Sequence, residues 1–192
     1  MNKENFILND IFNVPLSKVE FLKAKDAYLN ALRENQFSIQ KSSDIYDLIR
    51  KIKRSPERIG PYQNISVFEA LNRIGSDLIL LSGAEKLFNG DEPKINPKTI
   101  ELRMGNTHGF DFVVNLGKNK EIYGEAFNAA TSFCKQKMRQ AIHKLIDKNP
   151  DMRAKAGIVF INEEVREIIK KYINNKELES EIKIYRVYCN DL

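Results

Sequence analysis

Two cysteines and two histidines are all that the 192-residue chain holds of thiol and imidazole chemistry. Cys134 and Cys189 lie far apart and match no metal-ligand spacing, and His108 and His143 are equally scattered. A zinc site is therefore not expected, and both cysteines read as reduced structural residues. No apolar run approaches the length of a membrane span. The start, MNKENFILNDIF, has neither the long apolar stretch nor the small-residue cleavage site of a secretion signal, so a cytoplasmic protein with no membrane partner is expected. No glycine-rich turn follows a strand, which argues against a phosphate-cradling loop; GSDLILLSG reads as apolar helix and offers no nucleophile elbow. Internal repeats and low-complexity segments are also missing.

What is present suits one folded domain with a small N-terminal annex. Hydrophobic residues make up 42%, enough for a core, and the net charge is +5. That charge favours a polyanionic partner only mildly, so its distribution matters more. One basic cluster is Lys51, Lys53, Arg54 and Arg58. A second is Lys135, Lys137, Arg139, Lys144 and Lys148, and a third is Lys170, Lys171 and Lys176. Taken alone, each reads as a solvated helix face.

Residues 16–54 have helical character. Ser17 followed by Glu20 makes a capping box, and Phe21, Ala24, Tyr28 and Leu32 keep helical spacing. Ser42, Ser43 or Asp44 can cap a second short helix. SPERIGPYQN, with two prolines and a glycine, then separates an annex (1–60) from a core (61–192). Residues 67–87 form a strong helix, with Leu71, Ile74, Leu78 and Leu81 as its buried stripe and Glu69, Arg73 and Asp77 on another face. TIELRM reads as a strand. FDFVVNLGKNKEIYGEAFN reads as two strands joined by a Gly-Lys-Asn turn. A helix follows with Cys134, Met138, Ala141, Ile142 and Leu145 inside and Lys137, Gln140, Lys144 and Lys148 as a polar stripe. AGIVFIN suits a strand buried on both faces. A helix capped by Asn162 and a final strand over residues 181–188 complete the chain. The order from residue 67 predicts an α/β protein: a mixed central sheet flanked by helices, three antiparallel strands and then a crossover to a parallel neighbour.

The hairpin brings two acids together. With the turn centred on Lys118, Asp111 falls opposite Glu125, and opposed residues have Cβ atoms about 4.5–5.5 Å apart. Opposed like charges are destabilising unless a cation, a basic side chain or a shared proton offsets them. A helix lysine or arginine would make the pair purely structural. Magnesium would make it a site, since that ion needs only one or two protein carboxylates. Glu69, then Asp77, is the candidate third acid. His108, three residues before Asp111, reads as a turn histidine. Tyr185 and Tyr188 with Arg186 read as edge-strand residues.

A helix, a three-stranded meander with Asp111 and Glu125 on its second and third strands, a helix and a strand together resemble the core of the PD-(D/E)XK nuclease superfamily, which includes many type II restriction endonucleases. The likeness spans roughly residues 67–188. It implies a restriction endonuclease-like core (α-β-β-β-α-β) and a metal-dependent DNA endonuclease that hydrolyses phosphodiester bonds. It further implies Mg²⁺ or Mn²⁺ held by Asp111 and Glu125 with help from Glu69. Phe127 stands where the family places lysine. The basic group would then come from Lys135 or Lys137, while Lys51, Lys53, Arg54, Arg58 and Arg139 would grip phosphates of double-stranded DNA. Cutting both strands implies a homodimer. The alternative is a catalytically inactive relative on the same fold that binds nucleic acid or protein.

Overall fold

The computed structural model describes residues 5–34, 44–91, 93–105, 109–147, 156–174 and 183–190. In chain order the elements are β1 (Pro15–Leu16), α1 (Lys18–Glu34), α2 (Ile45–Arg54), β2 (Pro56–Ile59), β3 (Tyr62–Ser66) and α3 (Val67–Asn89). Then come β4 (Thr99–Leu102), β5 (Phe112–Gly117), β6 (Lys120–Phe127), α4 (Cys134–Asp147), β7 (Ala156–Asn162), a 3-10 turn (Glu163–Val165), α5 (Arg166–Asn174) and β8 (Lys183–Cys189). Six strands form one sheet in the order β1-β4-β5-β6-β7-β8. Pairing is antiparallel from β1 to β6 and parallel from β6 to β8. The protein is thus a mixed α/β fold, and its element order from residue 67 is the expected one.

β7 shows why the sheet is central. Ile158 and Phe160 join a core shared with α3, while Val159 and Ile161 join a second core shared with α4 and α5. Each successive side chain goes to the opposite face, so a run with no polar residue before Asn162 is covered on both sides. The α3 face is packed tightly. The rings of Phe112 and Phe160 stack at 4.1 Å, and Phe112 lies across Gly124, where an added Cβ would come 1.9 Å from its Cζ.

The helix signals mostly work as local chemistry dictates. Ser17 and Glu20 cap α1, with the Ser17 N–H donating to Glu20 at 2.8 Å. Asp44 caps α2 by accepting from the Asp47 N–H at 2.9 Å. Ser66 caps α3, and Gly90 closes it in the left-handed conformation. On α4, which begins at Cys134, the buried residues are the predicted five. Cys134 and Cys189 are free and buried. Among the described residues no helix is long and apolar enough to cross a membrane.

Three local expectations are corrected. Leu71 on α3 is 56% exposed, and the buried face instead runs through Ala70, Asp77, Leu81 and Ala84. That helix is covered by α1 and β3 as well as the sheet, so one periodic stripe does not describe its burial. Asn162 makes no side-chain cap. Its Oδ1 accepts from the Ala129 N–H at 3.1 Å and its Nδ2 donates to the Ala129 carbonyl at 3.3 Å, tying the end of β7 to the connection after β6. The hairpin turn is the two-residue pair Lys118-Asn119, both left-handed, with Gly117 paired to Lys120. A bulge between Asn115 and Gly117 absorbs the difference, so Asn115 pairs with Glu121 and Phe112 with Gly124, the predicted register.

The segment before residue 61 contains sheet as well as helix. β1 forms the sheet's edge beside β4, and the β2–β3 hairpin crosses residue 60. Phe12, Phe21, Tyr28 and Tyr62 belong to the same core as α3.

Candidate active site

Continued by one residue, the β5–β6 register brings Asp111 opposite Glu125. The Asp111 N–H donates to the Gly124 carbonyl at 3.0 Å, and its Oδ2 accepts from the Ala126 N–H at 2.8 Å. These two bonds hold the aspartate against β6. Glu125 alternates with Gly124 and Ala126, so it points to the α4 side of the sheet, where α4 presents Lys144. Lys144 donates to Glu125 Oε2 at 2.7 Å, lies 2.7 Å from Oε1, and stands 3.9 Å from Asp111 Oδ1. The basic side chain that offsets the opposed acids is therefore a helix lysine.

Glu125 is only 7% exposed. Burial, and after it the charge of Asp111, pushes its carboxyl up to about 7 against the pull of Lys144. Asp111 is also raised, by burial above all, with the Ala126 amide, Lys144 and Lys137 opposing. Glu125 Oε1 is buried and has the Lys144 ammonium 2.7 Å away.

These groups line a cleft of about 640 Å³. One wall is α3, with Phe68, Glu69, Asn72, Arg73, Ser76 and Asp77. The other is α4, with Lys137, Gln140 and Lys144; β6, Asp111, Arg103, Gly105 and Tyr62 also line it. Both walls follow from helical spacing. Residues 137, 140 and 144 share one face, beside the apolar face that docks α4 on the sheet.

Four of the expected site residues, Asp111, Glu125, Glu69 and Lys137, line this one cleft. Glu69 pairs with Arg73 at 2.8 Å, one turn along α3. Lys135 lies about two and a half turns before Lys144, on the far side of α4, and is exposed outside the cleft; so is Arg139. Lys51 pairs with Asp47 at 2.8 Å. Lys53 sits 5.5 Å over the Phe68 ring at the cleft rim, with Arg54 beside it at the end of α2 and Arg58 on β2. His108, Lys148 and Lys176 lie outside the described residues.

Asp77 is not on a polar face. It is buried, and its Oδ2 accepts from the hydroxyls of Tyr28, at 2.7 Å, and Tyr62. Burial pushes its carboxyl up to about 7, while the two tyrosines and Arg73 pull it down. Phe127, at the family's lysine position, is buried in the core between the sheet and α4. The residue that sequence reasoning did not single out for the site is Lys144. The signal was present, since Lys144 shares a polar stripe with Lys137 and Gln140, but spacing along α4 could not say which stripe member meets the acids.

The donor set suits a hard divalent ion. Two carboxylates can supply the one or two protein ligands that Mg²⁺ needs, with Lys144 as the competing cation, 2.7 Å from each Glu125 oxygen. Among the described residues no group of three or more acidic, histidine or cysteine side chains is gathered for a metal. Comparison with protein-family models, with curated proteins and with solved structures finds no match to the chain.

Proposed function

We propose that the cleft is the active site of a metal-dependent DNA endonuclease that hydrolyses phosphodiester bonds, on the restriction endonuclease-like core implied by the resemblance. The observation that carries the reading is the trio of Asp111, Glu125 and Lys144. Asp111 and Glu125 would hold Mg²⁺ or Mn²⁺. When bound, the ion supplies positive charge to the scissile phosphate and acidifies a water ligand. Lys144 takes the part of the lysine missing at Phe127, reaching the acids from α4 instead of from β6. Its ammonium favours the ionised form of Glu125 and is placed to hydrogen-bond an attacking water or a phosphate oxygen. Lys137 and Gln140 on the same helix face a phosphate chain entering the cleft. With both acids ionised the trio keeps one net negative charge, so attraction for a cation survives the lysine.

The resemblance makes the enzyme a type II restriction enzyme working on double-stranded DNA as a homodimer. The hydrolytic chemistry of the cleft is the same whichever form the DNA takes. One observation favours the second reading, a catalytically inactive relative that binds nucleic acid or protein: Lys144 already neutralises Glu125, as a structural ion pair would.

The test is incubation of double-stranded plasmid and of single-stranded phage DNA with the purified protein in Mg²⁺ and in Mn²⁺, beside Asp111→Ala. Discrete fragments that vanish with the variant support the endonuclease. Intact DNA of both forms in both metals, with a folded protein, transfers the weight to the binding-only reading.

A further inference from the structure

Phe68 is the first-turn residue of α3 that the core does not use. It is 52% exposed and lines the cleft beside Glu69 and Asn72. Single exposed apolar residues are common on protein surfaces and need no special account. This one differs in its surroundings. The Lys53 ammonium stands 5.5 Å over its ring. Lys53 from α2 brings positive charge to this rim, and Arg73, Lys137 and Lys144 line the cleft further in, Arg73 paired with Glu69 and Lys144 with Glu125.

An exposed apolar ring with an ammonium over it matches one strand of nucleic acid: a base stacks on an aromatic face, and the cation moves from the ring to the phosphate beside it. In an intact duplex each base face is covered by its stacked neighbour, so the ring would have nothing to receive. The size of the cleft agrees. A volume of about 640 Å³ falls within the range of roughly 300–1,000 Å³ that encloses a ligand of drug size. That accommodates a nucleotide and its phosphate, and the carboxylates lie at its inner end, with the Glu125 side chain only 10% exposed.

We propose that Phe68 is a stacking platform for an unpaired base beside the scissile phosphate, so that the substrate is single-stranded DNA and not the intact duplex. The proposal rests on the hydrolytic reading of the cleft and sets a single strand in place of the duplex that the resemblance implies.

The test compares wild type, Phe68→Ala and Phe68→Trp. A fluorescently labelled single strand carrying 2-aminopurine, and the same sequence as a paired duplex, are titrated in Ca²⁺ and then followed for cleavage in Mg²⁺. Wild type should bind the single strand more tightly than the duplex and quench 2-aminopurine. Phe68→Ala should weaken single-strand binding by about 10-fold or more and abolish the quenching, with Phe68→Trp restoring both. Equal single-strand affinity in wild type and Phe68→Ala, or tighter binding of the duplex by wild type, overturns the platform and leaves the hydrolytic reading standing. If wild type cuts neither DNA while Phe68→Ala still loses single-strand affinity, the hydrolytic reading fails and the stacking site stands.

Discussion

The Lys144 ammonium lies 2.7 Å from Glu125 and 3.9 Å from Asp111, joining a helix on one face of the sheet to two acids on neighbouring strands. Everything proposed for the cleft turns on this relationship, because it is at once the electrostatic support of the acids and the nearest ammonium to them.

Replacing Lys144 by methionine separates its two roles. Without the ammonium the Glu125 carboxyl rises further above its ordinary range. A raised carboxyl contributes stability that is full below its unfolded value and is lost as pH climbs through the folded one. The deficit of Lys144→Met should therefore be small near pH 5 and reach about 1–3 kcal/mol near pH 8, read by urea denaturation. DNA cleavage should fall about 100-fold or more at a pH where the variant is still folded. Unchanged cleavage there would leave Lys144 as a structural partner only.

Asp77 offers a second pH test at a distance from Lys144. Its carboxyl stands at about 7 in the folded protein because it is buried, with Tyr28, Tyr62, Arg73 and Asp111 around it. Wild-type stability should thus decline as pH rises toward and through about 7. Asp77→Asn removes the ionisation and keeps an acceptor for the tyrosines. It should match wild type near pH 3.5, where Asp77 is protonated folded and unfolded, and exceed it increasingly above that, by on the order of 1–3 kcal/mol near pH 8. Parallel pH profiles for the two proteins would show that Asp77 does not titrate in this range.

Metal binding can be read without DNA. Mn²⁺ titrated by calorimetry should bind wild type more tightly as pH rises through about 7, because the Glu125 proton must leave before the carboxylate can act as a ligand. Glu125→Gln and Asp111→Asn should each weaken binding by about 10-fold or more. Affinity independent of pH and of both substitutions would remove the metal from the proposal.

Gly124 tests the packing that holds the acids in register. A methyl group there would meet Phe112 Cζ at 1.9 Å, and that ring is already stacked on Phe160. Gly124→Ala should cost about 1–3 kcal/mol or more in a denaturant titration. It should also lower cleavage, since Glu125 is the next residue along the strand.

Much of this architecture is legible along the chain because its causes are local. Ser17 with Glu20 caps α1 through bonds three residues apart. The five apolar positions of α4 follow helical spacing, and alternation along β7 places its side chains on both faces. The meeting of Asp111 and Glu125 was also legible, because hairpin register carries a pairing to every residue along two adjoining strands. Even the misjudged turn did no harm, since the bulge before Gly117 restored the register. Other features depend on which elements lie against one another. Nothing near Asp77 in the chain says that Tyr28 and Tyr62, 49 and 15 residues away, will close over it. Leu71 has the spacing of a core residue and is exposed, because burial on α3 follows the position of α1, β3 and the sheet. Lys144 is one of several lysines on a basic helix until α4 docks on β6. That docking sets Lys144 against the acids and leaves Lys135 on the far side. Local chemistry thus determined the elements and the pair of carboxylates; the packing of α3 and α4 against the sheet decided which cation they meet and what shape of cleft surrounds them.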